Sequence, residues 1–254
     1  MGMSAGDSGG FSLPMRLSAL DKRLALETGA LRKRTPIRGV VFDMDGVIVD
    51  SHPSHRVAWR KFLESLGHSV NDSELDFILD GRKREEILRH FLGEALSPEE
   101  IHDYGNRKDR MLRELGTRLE PIGGAIEFLV ELRQAGLAMG LATSAARGRA
   151  EATLSELGIK NYFDAIVTGD AVPISKPDSS IYHLAAVRLH ENPTRLLAFE
   201  DAASGVQAAL SAGLRCIGVA SGRRVEQLLA AGAEGVISDF NSLSLSDLLA
   251  LPGS

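Results

Sequence analysis

Four times after residue 120 an amphipathic stretch stops at a glycine and a short apolar run follows: Leu132–Gly136 before Leu137–Ala142, Leu157-Gly158 before Ala165–Val167, Ala212-Gly213 before Leu214–Val219, and Ala231-Gly232 before Gly235–Ile237. Glycine just past a helix tolerates the left-handed backbone that ends it, and short apolar runs bounded by such stops read as buried strands. Alternating helix and strand buries both kinds of apolar surface as a parallel sheet covered on its two faces. Ile37–Phe42, almost wholly apolar, supplies a first strand for that α/β sheet.

Between Phe42 and Leu137 the texture changes. Helix starts are expected at Pro53, at Asn71-Asp72-Ser73-Glu74 and at Ser97-Pro98-Glu99-Glu100, the last two spaced as capped N-termini. With no strand signal among them, residues 52–119 are expected to form an all-helical insert that returns through Glu120-Pro121-Ile122-Gly123-Gly124. The α/β core then comprises residues 36–51 and 120–254. Residues 1–35 read as an extension, with a Gly- and Ser-rich leader to Phe11 and one helix over Leu17–Leu31. Ligands of open α/β sheets sit beyond the carboxyl ends of the strands, and an insert leaving from the first strand stands over that edge.

Charge narrows the partners. Twenty-nine Lys and Arg against 34 Asp and Glu leave a net charge of −5, with no basic surplus for a phosphate backbone, so nucleic acid is not expected as a partner. No apolar run reaches the roughly 18 residues of a membrane helix, and Met1–Gly10 lacks the parts of a signal peptide. A cytoplasmic monomer without a membrane partner is the expectation. The single cysteine, Cys216, cannot form an intrachain disulfide and lies in an apolar run where a buried thiol is ordinary.

The first strand ends in Asp43-Met44-Asp45-Gly46, and Leu196–Phe199 ends in Glu200-Asp201. Carboxylates at the ends of buried strands are costly unless something compensates them, as a divalent metal and a reaction would. Hard oxygen ligands of this kind select Mg²⁺. Leu137–Ala142 ends in Thr143-Ser144, hydroxyls entering a helix N-terminus whose N–H groups favour an anion. Ser175-Lys176-Pro177 sets a point charge in a stiffened turn before the helix Ser179–Leu189, where it can neutralise a phosphoryl group.

Together these four motifs, within residues 37 to about 240, resemble the haloacid dehalogenase-like superfamily, in the branch with a helical cap inserted after the first motif. The resemblance implies a Rossmann-like parallel-sheet core, a helical cap domain, and Mg²⁺-dependent phosphoryl transfer from a small phosphorylated metabolite. It makes Asp43 the nucleophile and Asp45 the general acid, then base. It assigns Thr143 and Lys176 to the phosphoryl oxygens, and Asp43, the Asp45 main-chain carbonyl, Asp201 and Glu200 to the metal's surroundings. The presence of Asp45 speaks against dehalogenase chemistry. A non-catalytic binder of phosphometabolites would be expected to have lost one of these acids. A dinucleotide oxidoreductase would need Gly-x-Gly-x-x-Gly after the first strand, and Asp43–Asp50 contains none.

Within that branch the pattern is similar to β-phosphoglucomutase and the sugar-phosphate phosphatases. The likeness implies that His55 and Trp59 serve cap closure and the acid–base group, that Arg84 grips a second phosphate, and that Lys108 is a further cap contact. Helix packing at i, i+4 and solvated charge clusters are the plainer alternatives for these residues. After Ser144 the mutase pattern offers polar residues, whereas this chain has Ala145-Ala146-Arg147. Ser144 and Arg147 are then the substrate contacts expected there, with sugar-phosphate hydrolysis the first reading and a true mutase the alternative.

Overall fold

The computed structural model describes residues 36–116 and 119–249, so the expected leader and the helix over Leu17–Leu31 lie outside the described residues. Six parallel strands form one sheet: β1 (Gly39–Phe42), β2 (Ala138–Thr143), β3 (Ala165–Thr168), β4 (Leu196–Glu200), β5 (Arg215–Val219) and β6 (Val236–Ile237), in the order β3-β2-β1-β4-β5-β6. The chain winds outward from β1 in both directions. Phe42 is in register with Leu141 of β2 and Phe199 of β4, so the carboxyl end of β1 opens at the crevice where such sheets bind ligands.

Alternate residues of β1 serve opposite layers, as the pleat requires. Val40 and Phe42 pack with Phe128, Leu129 and Phe199, while Val41 faces Tyr182, Ala185 and Val206. Phe42 stacks on Phe199 with ring centroids 5.3 Å apart, and Phe128 meets Phe42 edge-on at 6.4 Å. This aromatic block lies directly beneath the strand ends that carry Asp43 and Glu200. Truncating one such ring to alanine costs about 3–5 kcal/mol.

Four helices follow β1: α1 (His52–Glu64), α2 (Asp72–Ile78), α3 (Arg84–Leu92) and α4 (Pro98–Glu114). They share a separate core of Trp59, Phe62, Leu63, Leu75, Ile87 and Leu88. Capping boxes start α2 at Asn71/Glu74 and α4 at Ser97/Glu100. No side chain caps α3 at Lys83, and this helix start has no sequence signal. The strands of chain leaving and re-entering the sheet run side by side, with Asp50 N donating to Glu120 O at 2.8 Å and Ile122 N to Ile48 O at 2.9 Å. The remaining helices are α5 (Ala125–Gln134), α6 (Arg147–Glu156), α7 (Ser180–Leu189), α8 (Ala203–Ser211), α9 (Arg224–Ala230) and α10 (Leu245–Leu249). No helix among the described residues is long and apolar enough to cross a membrane.

Candidate active site

Asp43 N donates to Phe199 O at 3.0 Å, which extends the ladder one residue past β1 and sets the Asp43 carboxylate beside the end of β4. Lys176 stands between the two strands. Its Nζ donates to Asp43 Oδ1 at 2.6 Å, Glu200 Oε1 at 2.5 Å and Ala142 O at 3.1 Å, so all three ammonium protons are placed. Burial works against the Lys176 ammonium, but the Asp43 and Glu200 carboxylates outweigh it and raise its pKa. Glu200 also accepts from Tyr182 Oη at 2.5 Å, and its other oxygen accepts from Asp201 N at 3.2 Å.

Asp43, Glu200 and Asp201 are all buried and each offers an oxygen within 4.8 Å of the others. Burial, with Glu200 and Asp201 adding to it against Lys176, pushes the Asp43 carboxyl well up. Burial likewise raises Asp201 to about 8, against the pull of Arg224 and with Glu200 adding. Asp201 Oδ2 has no hydrogen-bond partner, although His52 Nε2 at 3.2 Å and Arg224 Nη2 at 3.1 Å approach it. Burial and Arg224 lower the His52 imidazole to about 4, leaving it neutral. A buried set of hard oxygen donors with one oxygen unsatisfied fits a divalent cation such as Mg²⁺. Gly46, at φ +76°, makes the close turn possible, because a Cβ there would come within 2.3 Å of Asp201 Oδ2.

Asp45 lies apart from this cluster. Its Oδ1 accepts from Ser51 Oγ at 2.6 Å and Arg149 Nη1 at 2.9 Å, and its Oδ2 from Arg149 Nη2 at 2.5 Å. Burial alone would raise this carboxyl, but the Arg149 guanidinium and its hydrogen bonds prevail and hold it well below the usual carboxylate range. The sequence reading missed Arg149 and chose Arg147. Arg147 opens α6 with its side chain exposed, and its N–H donates to Asp170 Oδ2 at 2.6 Å. At about 100° per residue, positions 147 and 149 lie on opposite faces of a helix, and it is 149 that faces the site.

The helical segment brings its expected residues to the same place. Lys108 Nζ lies 3.1 Å from His55 Nδ1, 3.4 Å from Asp109 Oδ1, and 5.2 Å from the centre of the Trp59 ring. Burial lowers Lys108 to about 8 despite Asp109. Burial, then Lys108 and Arg149, lowers His55 well below its ordinary range, which keeps the ring neutral. Arg84 pairs with Asp109, beside Gly105, where a Cβ would come within 2.3 Å of the Arg84 side chain. Thr143 is buried, and its Oγ1 accepts from Ala145 N at 3.1 Å. Ser144 Oγ donates to Gly81 O at 2.5 Å, tying the loop before α3 to the sheet. Ser204 Oγ does the same to Asp80 O at 2.5 Å, and Lys83 Nζ reaches back to Val172 O at 2.5 Å.

Two cavities meet at Asp45. The inner one, about 90 Å³, is lined by Asp43, Trp59, Thr143, Ser144, Glu200 and Asp201. The outer one, about 690 Å³, lies between α4 and α6. Asp45, Ser51, His55, Arg84 and Arg149 line both.

A family model described as haloacid dehalogenase-like hydrolase matches residues 37–213, and the chain belongs to this family. It is 35% identical over 208 residues to the phosphorylated carbohydrates phosphatase of Thermotoga maritima, covering 79% of this chain and 94% of the relative. It is 32% identical over 217 residues to the β-phosphoglucomutase of Bacillus subtilis, covering 82% of this chain and 92% of the relative. The β-phosphoglucomutase structure from Clostridium difficile superposes with a TM-score of 0.73 at 26% identity, covering 84% of this chain and 95% of that one. The chain is an enzyme of the phosphohydrolase or phosphomutase kind.

Proposed function

We propose that the protein hydrolyses a small sugar phosphate through an aspartyl phosphate on Asp43, with Mg²⁺ as cofactor. The observation that carries this reading is the buried Asp43–Lys176–Glu200 cluster with Asp201 beside it, at the mouth of β1. An Asp43 oxygen attacks phosphorus, the P–O bond to the sugar breaks, and Asp45, once separated from Arg149 and protonated, gives that proton to the departing oxygen. Asp45 then takes a proton from water, whose oxygen attacks phosphorus, and the acyl phosphate opens to inorganic phosphate and free Asp43. Thr143 and the amides after it hold the phosphoryl oxygens, and Lys176, with its protons on Asp43, Ala142 O and Glu200, sets a positive charge beside them. Asp43, Asp201 and the Asp45 main-chain carbonyl, with Glu200 alongside, would hold Mg²⁺, which when bound offsets the negative charge of the transferring group.

Replacing Asp43 with Asn is expected to lower phosphatase kcat on the order of a thousandfold or more, as loss of a covalent nucleophile does. Substantial residual turnover by the purified variant would overturn the assignment. The mutase reading draws on His55, Arg84 and Lys108 standing around the two cavities. Incubation with β-glucose 1-phosphate, Mg²⁺ and a trace of glucose 1,6-bisphosphate separates the two: phosphate release marks the hydrolase, and glucose 6-phosphate without phosphate marks the mutase.

A further inference from the structure

Past the end of β5 at Val219, a short turn through Gly222, at φ +63°, leads into α9, whose first residue is Arg224. Because β5 pairs with β4, this places the guanidinium beside Glu200-Asp201. Arg224 Nη2 donates to the Asp201 main-chain oxygen at 2.7 Å and lies 3.1 Å from Asp201 Oδ2, while Nη1 donates to His52 Nδ1 at 3.1 Å. A guanidinium only donates, so His52 Nδ1 accepts and the ring proton sits on Nε2, which faces the same Oδ2 at 3.2 Å. Arg224 thus acts on Asp201 directly and through His52, the residue that opens α1.

Asp201 Oδ2 is the unsatisfied oxygen of the acidic cluster, the one that a divalent cation would take on the Mg²⁺ reading. Two fixed cations already face the three carboxylates of that cluster, and they differ in how they are held. Lys176 is almost completely buried, with its protons on Asp43, Glu200 and Ala142 O. The Arg224 side chain is 38% exposed and approaches Oδ2 without a hydrogen bond to it. Moving Lys176 would strand buried charge, whereas Arg224 can turn its head group into water. We propose that Arg224 is a tethered counter-ion that competes with the divalent cation for Asp201 Oδ2. It offsets the carboxylate when the cation has left, and by like-charge repulsion it weakens the binding of the cation, which is then held exchangeably. The proposal rests on the Mg²⁺ reading above.

Calorimetric titration of Mg²⁺ into the full chain, stripped with EDTA and dialysed, tests it together with the melting temperature before Mg²⁺ is added. Arg224→Gln keeps a donor for the Asp201 carbonyl and drops the charge. It is expected to lower the Kd for Mg²⁺ by at least about fivefold, the scale of a partly exposed charge pair, and to lower the melting temperature of the stripped protein by about 2–4 °C. Arg224→Lys, which keeps the charge, is expected to leave Kd within about twofold of wild type. His52→Gln removes no charge and is expected to move Kd less than Arg224→Gln does. Arg224→Met is the neutral variant to use if the glutamine variant does not fold. A neutral variant that melts lower with Kd unchanged would make Arg224 a packing residue, and one that binds Mg²⁺ more weakly would make it a support for Asp201. Either result overturns the proposal, as does a larger shift from His52→Gln, and each leaves the Mg²⁺ reading intact because Mg²⁺ still binds. A wild-type chain that takes up no Mg²⁺ would instead remove that reading itself.

Discussion

The charges at the strand ends and those on the helical segment are held in different ways. At the strand ends, Lys176 is fixed by three acceptors from β1, β2 and β4 territory, and Glu200 is fixed by Lys176, Tyr182 and its own following amide. On the helices, Arg84 has Asp109, and Lys108 has one imidazole nitrogen, the same Asp109 and an aromatic face. A group tied to several backbone elements cannot be moved without moving the sheet. A group held by one or two side chains can exchange them for a substrate. On the proposed reading, the strand ends would carry the phosphoryl transfer and the helical face the choice among substrates.

Chelating the metal should break the comparison most completely. Treatment with EDTA is expected to abolish phosphate release and added Mg²⁺ to restore it, and Mg²⁺ should also raise the melting temperature of the chelated protein by binding only the folded state. Activity that persists after chelation would show that Lys176 suffices as the counter-charge. Next in size is Lys176→Met, which leaves Asp43 and Glu200 without their shared partner. It is expected to cost about 3–5 kcal/mol in urea unfolding, because it strands buried charge. A loss below about 1 kcal/mol, the range of surface pairs, would place this pair with the loosely held ones.

Arg84→Ala sharpens the other side of the comparison. It is expected to lower kcat/KM for a sugar phosphate by about ten- to a hundredfold, the range of a charge-assisted contact, and to spare turnover of a small aryl phosphate. Equal losses on the two compounds would make Arg84 a packing residue. An effect that depends on pH is expected at Lys108, whose pKa of about 8 lies below the ordinary 10.5. A lysine lowered in this way contributes its full stability above about 10.5 and loses it as pH falls through about 8. Below that range the buried ammonium costs roughly 3 kcal/mol at most, and less where Asp109 and His55 move to meet it. Lys108→Met should accordingly be more stable, relative to wild type, at pH 7 than at pH 10.5. Melting curves at the two values check this, and a constant difference would mean that the ammonium is fully solvated in effect.

How much of this could be read along the chain depended on where the signal sat. The parallel sheet and the acids at its edge were legible because helix, glycine stop, apolar strand and carboxylate follow one another within a few residues, as in Leu196–Asp201. Tyr182, Ser204 and Arg224 were not, since each belongs to an ordinary helix and acquires meaning only when packing brings it to Glu200, Asp80 or Asp201. Arg149 fell between these cases. The reading had the right helix but lacked its phase, and two residues along a helix reverse the direction of a side chain. The capping boxes announced α2 and α4, whereas α3 starts at Lys83 without a side-chain cap and carried no such mark.

The loop before α3 is gripped through its main chain: Ser204 binds the carbonyl of Asp80, Ser144 that of Gly81. Main-chain carbonyls are present whatever residue occupies the position. The side chains of Arg82 and Arg84 can therefore vary without loosening these two contacts, whereas Lys83 adds a third that does depend on its side chain, through Val172 O. On the proposed reading, substituting Arg82 or Arg84 would change what the cavity recognises while the grip on the two carbonyls stays as it is.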